Sequence, residues 1–273
     1  MSVADRMKAL AKRVLRRDVR VVRVPVDRGD ELSGRRALVV GGTGGIGGAI
    51  AASLVAKGCA VAITGSSRRS LDTALEHLPD GVMGFELDVS DVSTFESFLA
   101  DVSARMGGLD TVVYSAGVHG SDDFGSVSED TWDRVMTVNL KGAYFICQEA
   151  GNLMVRSGVR GHILVVGSAS ALKPGWTPYE ISKRGVQSFV LGAADRLIRH
   201  GVTVNCIAPG PVATKMLGRA DGGDLGWSAN PSGRLATAEE IAELAAYMVS
   251  DLGNLVIGDS FYITGGSGTV SNR

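Results

Sequence analysis

The stretch RALVVGGTGGIGGAI, residues 36–50, decides how the remainder of the chain is read. Its first five residues are a short apolar run of strand character. A glycine-rich turn follows, and AASLVAKG, residues 51–58, then reads as a helix that a glycine stops. Gly41, Gly45 and Gly47 stand in a G-x-x-x-G-x-G pattern. Glycines allow a tight turn and let backbone amides approach a pyrophosphate, whose charge is favoured at a helix N-terminus. A glycine-rich structural turn is the alternative, but the position directly after the first strand favours a dinucleotide site. A mononucleotide P-loop is excluded, because no Gly-Lys-Ser/Thr follows.

Beyond the turn, AVAIT, GFEL, TVVY, HILVV, TVNCIA and SFYI repeat the short apolar run, separated by longer amphipathic segments. Parallel neighbours need long crossovers, and Val92–Met106 and Glu129–Ser157 are long enough to supply helices. This rhythm predicts an α/β fold, a parallel sheet with helices on both faces, in one domain over residues 35–273. Residues 1–34 differ, with nine Lys/Arg against five Asp/Glu. Their stripe Val3, Met7, Leu10, Val14 and the run VRVVRVPV predict an appended basic helix and short strand.

Composition narrows the function classes. Of 273 residues, 45% are hydrophobic and 21% charged, with a formal net charge of -1, which argues against disorder and against a nucleic-acid partner. Cys59, Cys147 and Cys206 each lie in an apolar run, the pattern of reduced buried thiols rather than a disulfide or a metal site. No apolar run has the length of a membrane span and no secretion signal opens the chain, so a cytoplasmic protein is expected.

The second strand should end near the adenosine ribose, where a carboxylate suits a 2′-hydroxyl and a basic residue suits a 2′-phosphate. The residues there are GSSRRS, with Ser66, Ser67, Arg68 and Arg69 and no carboxylate, which favours NADP over NAD. Asp88, in LDVSD, is placed to accept from an adenine amino group or to cap the next helix. YEISK sets Tyr179 four residues ahead of Lys183, on one face of a helix.

Taken together these residues resemble the short-chain dehydrogenase/reductase family, from about Leu32 to the C-terminus. The features stand in the family's order: GGTGGIG, LDVSD, Asn139 in VNLKG, Ser168 in VVGSAS before YEISK, and NCIAPGPVAT. The resemblance implies a Rossmann-type, doubly wound, seven-stranded parallel sheet and a catalytic tetrad of Asn139, Ser168, Tyr179 and Lys183. It assigns to the cofactor Gly41, Thr43, Gly44, Gly45, Ile46 and Gly47 in the turn, and Ser66, Ser67 and Arg68 at the ribose. Asp88 and Val89, then Ser115, Ala116 and Gly117, follow along the adenosine side. Pro209, Gly210 and Val212 hold the carboxamide and Thr214 a phosphate, while Lys183 binds the nicotinamide ribose beside Tyr179.

In that reading Tyr179 is the acid that quenches charge on the carbonyl oxygen, and the ammonium of Lys183 lowers its pKa from the usual ~10. Ser168 steadies the substrate oxygen, and Asn139 supports a water-linked proton path. The chain departs from the family at Val40, at YSAG (residues 114–117), where Ser115 has a shorter reach than asparagine, and at YITGG (residues 262–266). The short spacing from Ser168 to Tyr179 leaves Ser170 as an alternative serine.

The activity implied is NADP-dependent hydride transfer between nicotinamide and a ketone or secondary alcohol. The general likeness within the family is to 3-oxoacyl-carrier-protein reductases, with sugar, polyol, steroid and polyketide ketones left open. Loops Val118–Val127 and Pro211–Gly233 should surround the substrate, the second as a lid, with His119, Phe124, Trp176 and Trp227 as candidate lining. A homodimer or homotetramer is implied, and the basic arm suits an acidic carrier protein. The rival is a non-catalytic sensor or scaffold of the same fold, for which a complete tetrad would have no chemical use.

Overall fold

Seven short strands with their apolar residues on alternate faces pair in the order β3-β2-β1-β4-β5-β6-β7, every pairing parallel. The computed structural model describes residues 30–120, 123–214 and 225–270. The strands are β1 (Arg36–Val40), β2 (Ala60–Gly65), β3 (Met83–Glu86), β4 (Thr111–Tyr114), β5 (His162–Val166), β6 (Thr203–Pro209) and β7 (Ser260–Ile263). Each of the seven apolar runs read from the sequence is one of these strands. The helices are α1 (Gly45–Ala56), α2 (Arg68–Leu75), α3 (Phe95–Met106), α4 (Glu129–Met136), α5 (Ala143–Arg156), α6 (Pro178–Leu197) and α7 (Ala238–Met248).

Period-two alternation sorts the strand residues between two cores. Leu38, Val40, Val112, Tyr114, Ile163 and Val165 face the core closed by α3, α5 and α6. Val39, Ile63, Val113, Leu164 and Ile207 face the core closed by α1 and α7. Small residues let that second layer pack tightly, with Ala51 of α1 and Ala242, Ala245 and Ala246 of α7 all buried.

Helix starts follow local chemistry. Ser67 and Ser128 cap α2 and α4, and Thr177–Glu180 and Thr237–Glu240 form capping boxes at α6 and α7. The N-terminus of α1 is different, with Gly44 at its cap and no side-chain hydrogen bond. The long segment Glu129–Ser157 is not one continuous helix: α4 and α5 are joined by a π-helical turn, Thr137–Gly142. Such a turn widens the helix by one residue per turn and costs hydrogen-bond geometry, so it persists where side chains compensate. Tyr114 does so here, its buried hydroxyl donating to the Val138 carbonyl at 2.6 Å.

The appended helix and strand expected before the core fall on residues 1–29, outside the described residues. Chain that is described before β1 already belongs to the domain, because Leu32 is buried and its amide donates to the Lys57 carbonyl at 3.0 Å. All three cysteines are buried and free. Burial pushes the Cys59 thiol up to about 12 and the Cys206 thiol up to about 11, values at which the nucleophilic thiolate is scarce at neutral pH. Among the described residues no helix is long and apolar enough to cross a membrane.

At the opposite end of the sheet from the glycine turn, His162 is buried with Nδ1 2.8 Å from Thr203 Oγ1. Burial, reinforced by Arg35, pulls its pKa from 6.5 to about 4. Between those values the unfolded chain takes a proton that the folded one refuses, so stability falls as pH drops from about 6.5 to about 4 and the loss is complete below that. The expected loss is about 3 kcal/mol. Chemical denaturation at stepped pH tests this: His162→Gln should flatten the slope in that window, and an unchanged slope would reject the assignment.

Candidate active site

Loops at the carboxyl ends of the strands converge on a cavity of about 510 Å³ whose floor is the glycine turn. Two of its glycines are required sterically. Gly41 has φ +79°, and a Cβ there would lie 2.6 Å from the Ala116 amide nitrogen. A Cβ on Gly47 would lie 2.4 Å from the Gly41 carbonyl oxygen. Thr64 fixes the turn from β2, its Oγ1 accepting from the Gly41 amide at 3.1 Å. The α1 N-terminus, left without a side-chain cap, presents amides and the positive end of the helix dipole to this cavity. A cradle of backbone without side chains suits a pyrophosphate, so the residues present fit a dinucleotide.

The predicted cofactor residues mostly meet here. Gly41, Thr43, Gly44, Gly45, Ile46 and Gly47 line the cavity, as do Ser66, Asp88 and Val89. Ser115, Ala116 and Gly117 close its side, and Tyr179, Lys183 and Thr214 reach it from the far end. Pro209, Gly210 and Val212 instead line an adjoining cavity of about 370 Å³, shared with Ser168, Tyr179 and Thr214. Two expected residues stand apart. The Ser67 side chain caps α2 by accepting from the Ser70 amide at 3.3 Å. Arg68 pairs with Asp72 one turn along the helix at 2.9 Å, both exposed, and does not line either cavity. Arg69 borders the outer side of the glycine turn together with Thr43 and Gly44.

Asp88 is held in position by Ser90, whose amide and hydroxyl donate to one carboxylate oxygen at 2.8 and 2.7 Å. These bonds keep its carboxyl below the ordinary value. Asp88 therefore spends one oxygen on its own loop while the residue lines the cavity.

Tyr179 and Lys183 lie one turn apart on α6, with the Lys183 Nζ 5.7 Å from the phenol ring centroid. Lys183 is buried and its ammonium donates to the Val166 carbonyl at 3.0 Å. Desolvation pulls its pKa down to about 8, with nearby Cys206 acting weakly the other way. The phenol differs from the sequence expectation of a lowered pKa. Its burial outweighs the opposing pull of a hydrogen bond with Ser168, so its pKa is raised. The hydroxyl that acts on the phenol is that of Ser168 rather than Ser170, whose amide donates to Ser168 Oγ at 3.1 Å.

Asn139 is buried behind the cavity, in the π-helical turn. Its carboxamide accepts from the Val118 amide at 2.8 Å and donates to the Val118 carbonyl at 2.9 Å, which clamps the segment after β4. The same Nδ2 lies 3.3 Å from Ser182 Oγ, and that hydroxyl donates to the Tyr179 carbonyl at 2.7 Å. Ser182 thus ties the asparagine to the tyrosine backbone, and sequence reading overlooked it although it directly precedes Lys183. Gly117 sits between these groups, where an added Cβ would be 3.5 Å from Asn139 Oδ1 and 3.7 Å from Lys183 Nζ.

His119 packs its ring on Tyr179, with centroids 4.4 Å apart and planes tilted by 44°. Trp227 lines the second cavity as expected, whereas Phe124 and Trp176 are exposed at 82% and 59% and line neither. Part of each loop expected to surround the substrate, residues 121–122 and 215–224, lies outside the described residues.

This arrangement has counterparts. Residues 41–268 match a family model described as enoyl-(acyl carrier protein) reductase. A nodulation protein G of Rhizobium sp. is 32% identical, over 86% of this chain and 98% of that one. The 3-oxoacyl-acyl-carrier-protein reductase FabG of Haemophilus influenzae is also 32% identical, with the same coverage of 86% and 98%. An L-rhamnose 1-dehydrogenase (NAD(P)+) of Sphingomonas sp. is 32% identical over 86% of this chain and 96% of that one. A solved short-chain dehydrogenase/reductase from Serratia marcescens superposes with a TM-score of 0.79 at 30% identity, covering 88% of this chain and all of that one. With a family model matched over residues 41–268 and a solved relative superposing on 88% of its length, the chain belongs to the short-chain dehydrogenase/reductase family of oxidoreductases.

Proposed function

We propose that this chain is an NADP(H)-dependent ketoreductase that uses Tyr179 as its acid/base, acting in either direction between a ketone and a secondary alcohol. The observation that carries the reading is that Tyr179 lines both cavities, so its phenol stands where the dinucleotide cavity meets the adjoining one. A nicotinamide, when bound, supplies or accepts the hydride. The chain's own residues handle the proton and the charge.

The substrate oxygen gains negative charge as reduction proceeds, and the Tyr179 hydroxyl releases a proton to it. Ser168, which lines the same cavity and lowers the phenol pKa, stabilises the phenolate that remains and donates to the same region. Lys183 keeps a positive charge close to that phenolate, and burial enlarges the attraction. Asn139 and Ser182 act as positioning residues, the first by clamping Val118 and the second by bracing the Tyr179 backbone. The raised phenol pKa suits a proton donor, because the group reaches the reaction protonated at neutral pH.

NADP(H) over NAD(H) is supported by the exit from β2. Ser66 lines the cavity, and the first carboxylate beyond it, Asp72, is paired with Arg68. Arg68 and Arg69 are the two cations offered to a 2′-phosphate, Arg68 by exchanging its exposed partner. Titration with NADPH and NADH by nicotinamide fluorescence, in the native chain and in an Arg68→Ala/Arg69→Ala double variant, tests the preference. The variant should lose roughly tenfold in NADPH affinity and little in NADH affinity; equal losses, or native preference for NADH, would overturn it.

A homo-oligomer is part of the same proposal. Tyr144 and Leu191, on α5 and α6, are 47% and 61% exposed and offer an apolar surface for a second copy. The FabG relatives carry acyl-carrier-protein in their name, so a 3-oxoacyl thioester belongs in the ketone panel that follows cofactor binding.

A further inference from the structure

From the charge lining the second cavity we infer that its ketone carries an anionic group, a carboxylate or a phosphate-like oxyanion, held by Lys173. The inference rests on the ketoreductase reading for the reacting carbonyl, but the anion site stands on its own observations. Among the described lining residues the ionisable side chains are His119, Lys173 and Tyr179, and none is a carboxylate. Lys173 makes no ion pair with a described carboxylate. The dinucleotide cavity next to it, by contrast, contains Asp88.

A surface lysine is ordinarily a solvated bystander, and location is what separates this one. Lys173 lies five residues after Ser168 and six before Tyr179, so its backbone is tied at both ends to the reacting groups. Its amide donates to the Ser170 carbonyl at 3.1 Å, which fastens it to the turn Ala169–Leu172. Ser170 and Ser267 add hydroxyl donors to the same lining, and His119 adds a ring nitrogen from the loop after β4. Trp227 supplies an apolar surface for the carbon chain between carbonyl and anion. An ammonium with neighbouring donors and no competing carboxylate among the described lining residues selects an oxyanion over a neutral substituent.

The test uses the full-length protein with NADPH and three acids, 4-oxopentanoate, 5-oxohexanoate and 2-oxopropylphosphonate, each against its neutral methyl ester. Binding is read by tryptophan fluorescence and turnover by NADPH oxidation. At least one acid should bind roughly tenfold or more tightly than its ester. Lys173→Met should bring that ratio towards one, Lys173→Arg should keep it, and Lys173→Glu should reverse it. Parity of every acid with its ester, or a preference that survives Lys173→Met, overturns the inference. An acid preference in binding without NADPH oxidation supports the anion site while counting against the ketoreductase reading. Tighter binding of the phosphonate than of the carboxylates identifies a phosphorylated ketone as the substrate type, and the opposite order identifies a keto acid.

Discussion

Turnover of a Tyr179→Phe variant is expected to fall by roughly a thousandfold or more, while NADPH binding stays within a few-fold of the native chain. The substitution removes one oxygen from a ring that is held on its other side by His119 at 4.4 Å between centroids, so the packing at the junction of the two cavities survives. What is lost is the proton donor beside Ser168. Because the phenol sits at the edge of the dinucleotide cavity and the glycine turn is untouched, the binding term should be small. Steady-state rates and a nicotinamide fluorescence titration on the same preparation decide the matter. Turnover within tenfold of native would remove Tyr179 from the acid/base role, and joint loss of binding and turnover would point to a structural one.

Lys183→Met should separate activity from stability in opposite directions. Turnover should drop by roughly a hundredfold or more, because the phenolate loses its counter-charge. The folded chain should nevertheless become more stable at pH 7. Burial pulls the Lys183 pKa from 10.5 to about 8, so below pH 8 the fold carries a buried ammonium that the unfolded chain would hydrate. That displacement corresponds to about 3 kcal/mol, from which roughly 1 kcal/mol is subtracted for the lost hydrogen bond to the Val166 carbonyl. A gain of about 2 kcal/mol is therefore expected for the cofactor-free protein. The sign follows from proton binding. Between pH 8 and 10.5 the unfolded lysine holds a proton that the folded one has released, so native stability rises with pH there and the advantage of the methionine fades. Denaturant unfolding at pH 7 and pH 10 measures both terms, and a variant less stable than native at pH 7 would contradict the account. A site that costs stability and supplies function is the usual trade-off of an enzyme.

Local chemistry made much of this molecule readable in advance. The strand runs, the glycine turn and the Tyr179–Lys183 spacing each depend on residues within a few positions of one another, where pleat, helical period and the freedom of glycine act directly. The resemblance carried by five short motifs in order then pointed to the family, which the comparisons show, and supplied the tetrad that the mechanism proposes. Three further features waited on the tertiary structure, and each joins segments remote in sequence. Asn139 clamps Val118 across 21 residues and reaches Ser182 across 43, so nothing in VNLKG alone announces a π-helical turn or its purpose. The direction of both pKa shifts was hidden as well, because desolvation of Tyr179 and Lys183 is decided by how α6 packs on β5 and β6. Arg68 and Arg69 are adjacent in the chain, yet the helical turn gives the first to Asp72 and the second to the glycine turn. Sequence by itself determined which groups are present and in what order along the sheet. Which of them face one another, and how far water is kept from them, was decided only by packing, because burial and long-range hydrogen bonds are properties of the assembled layers.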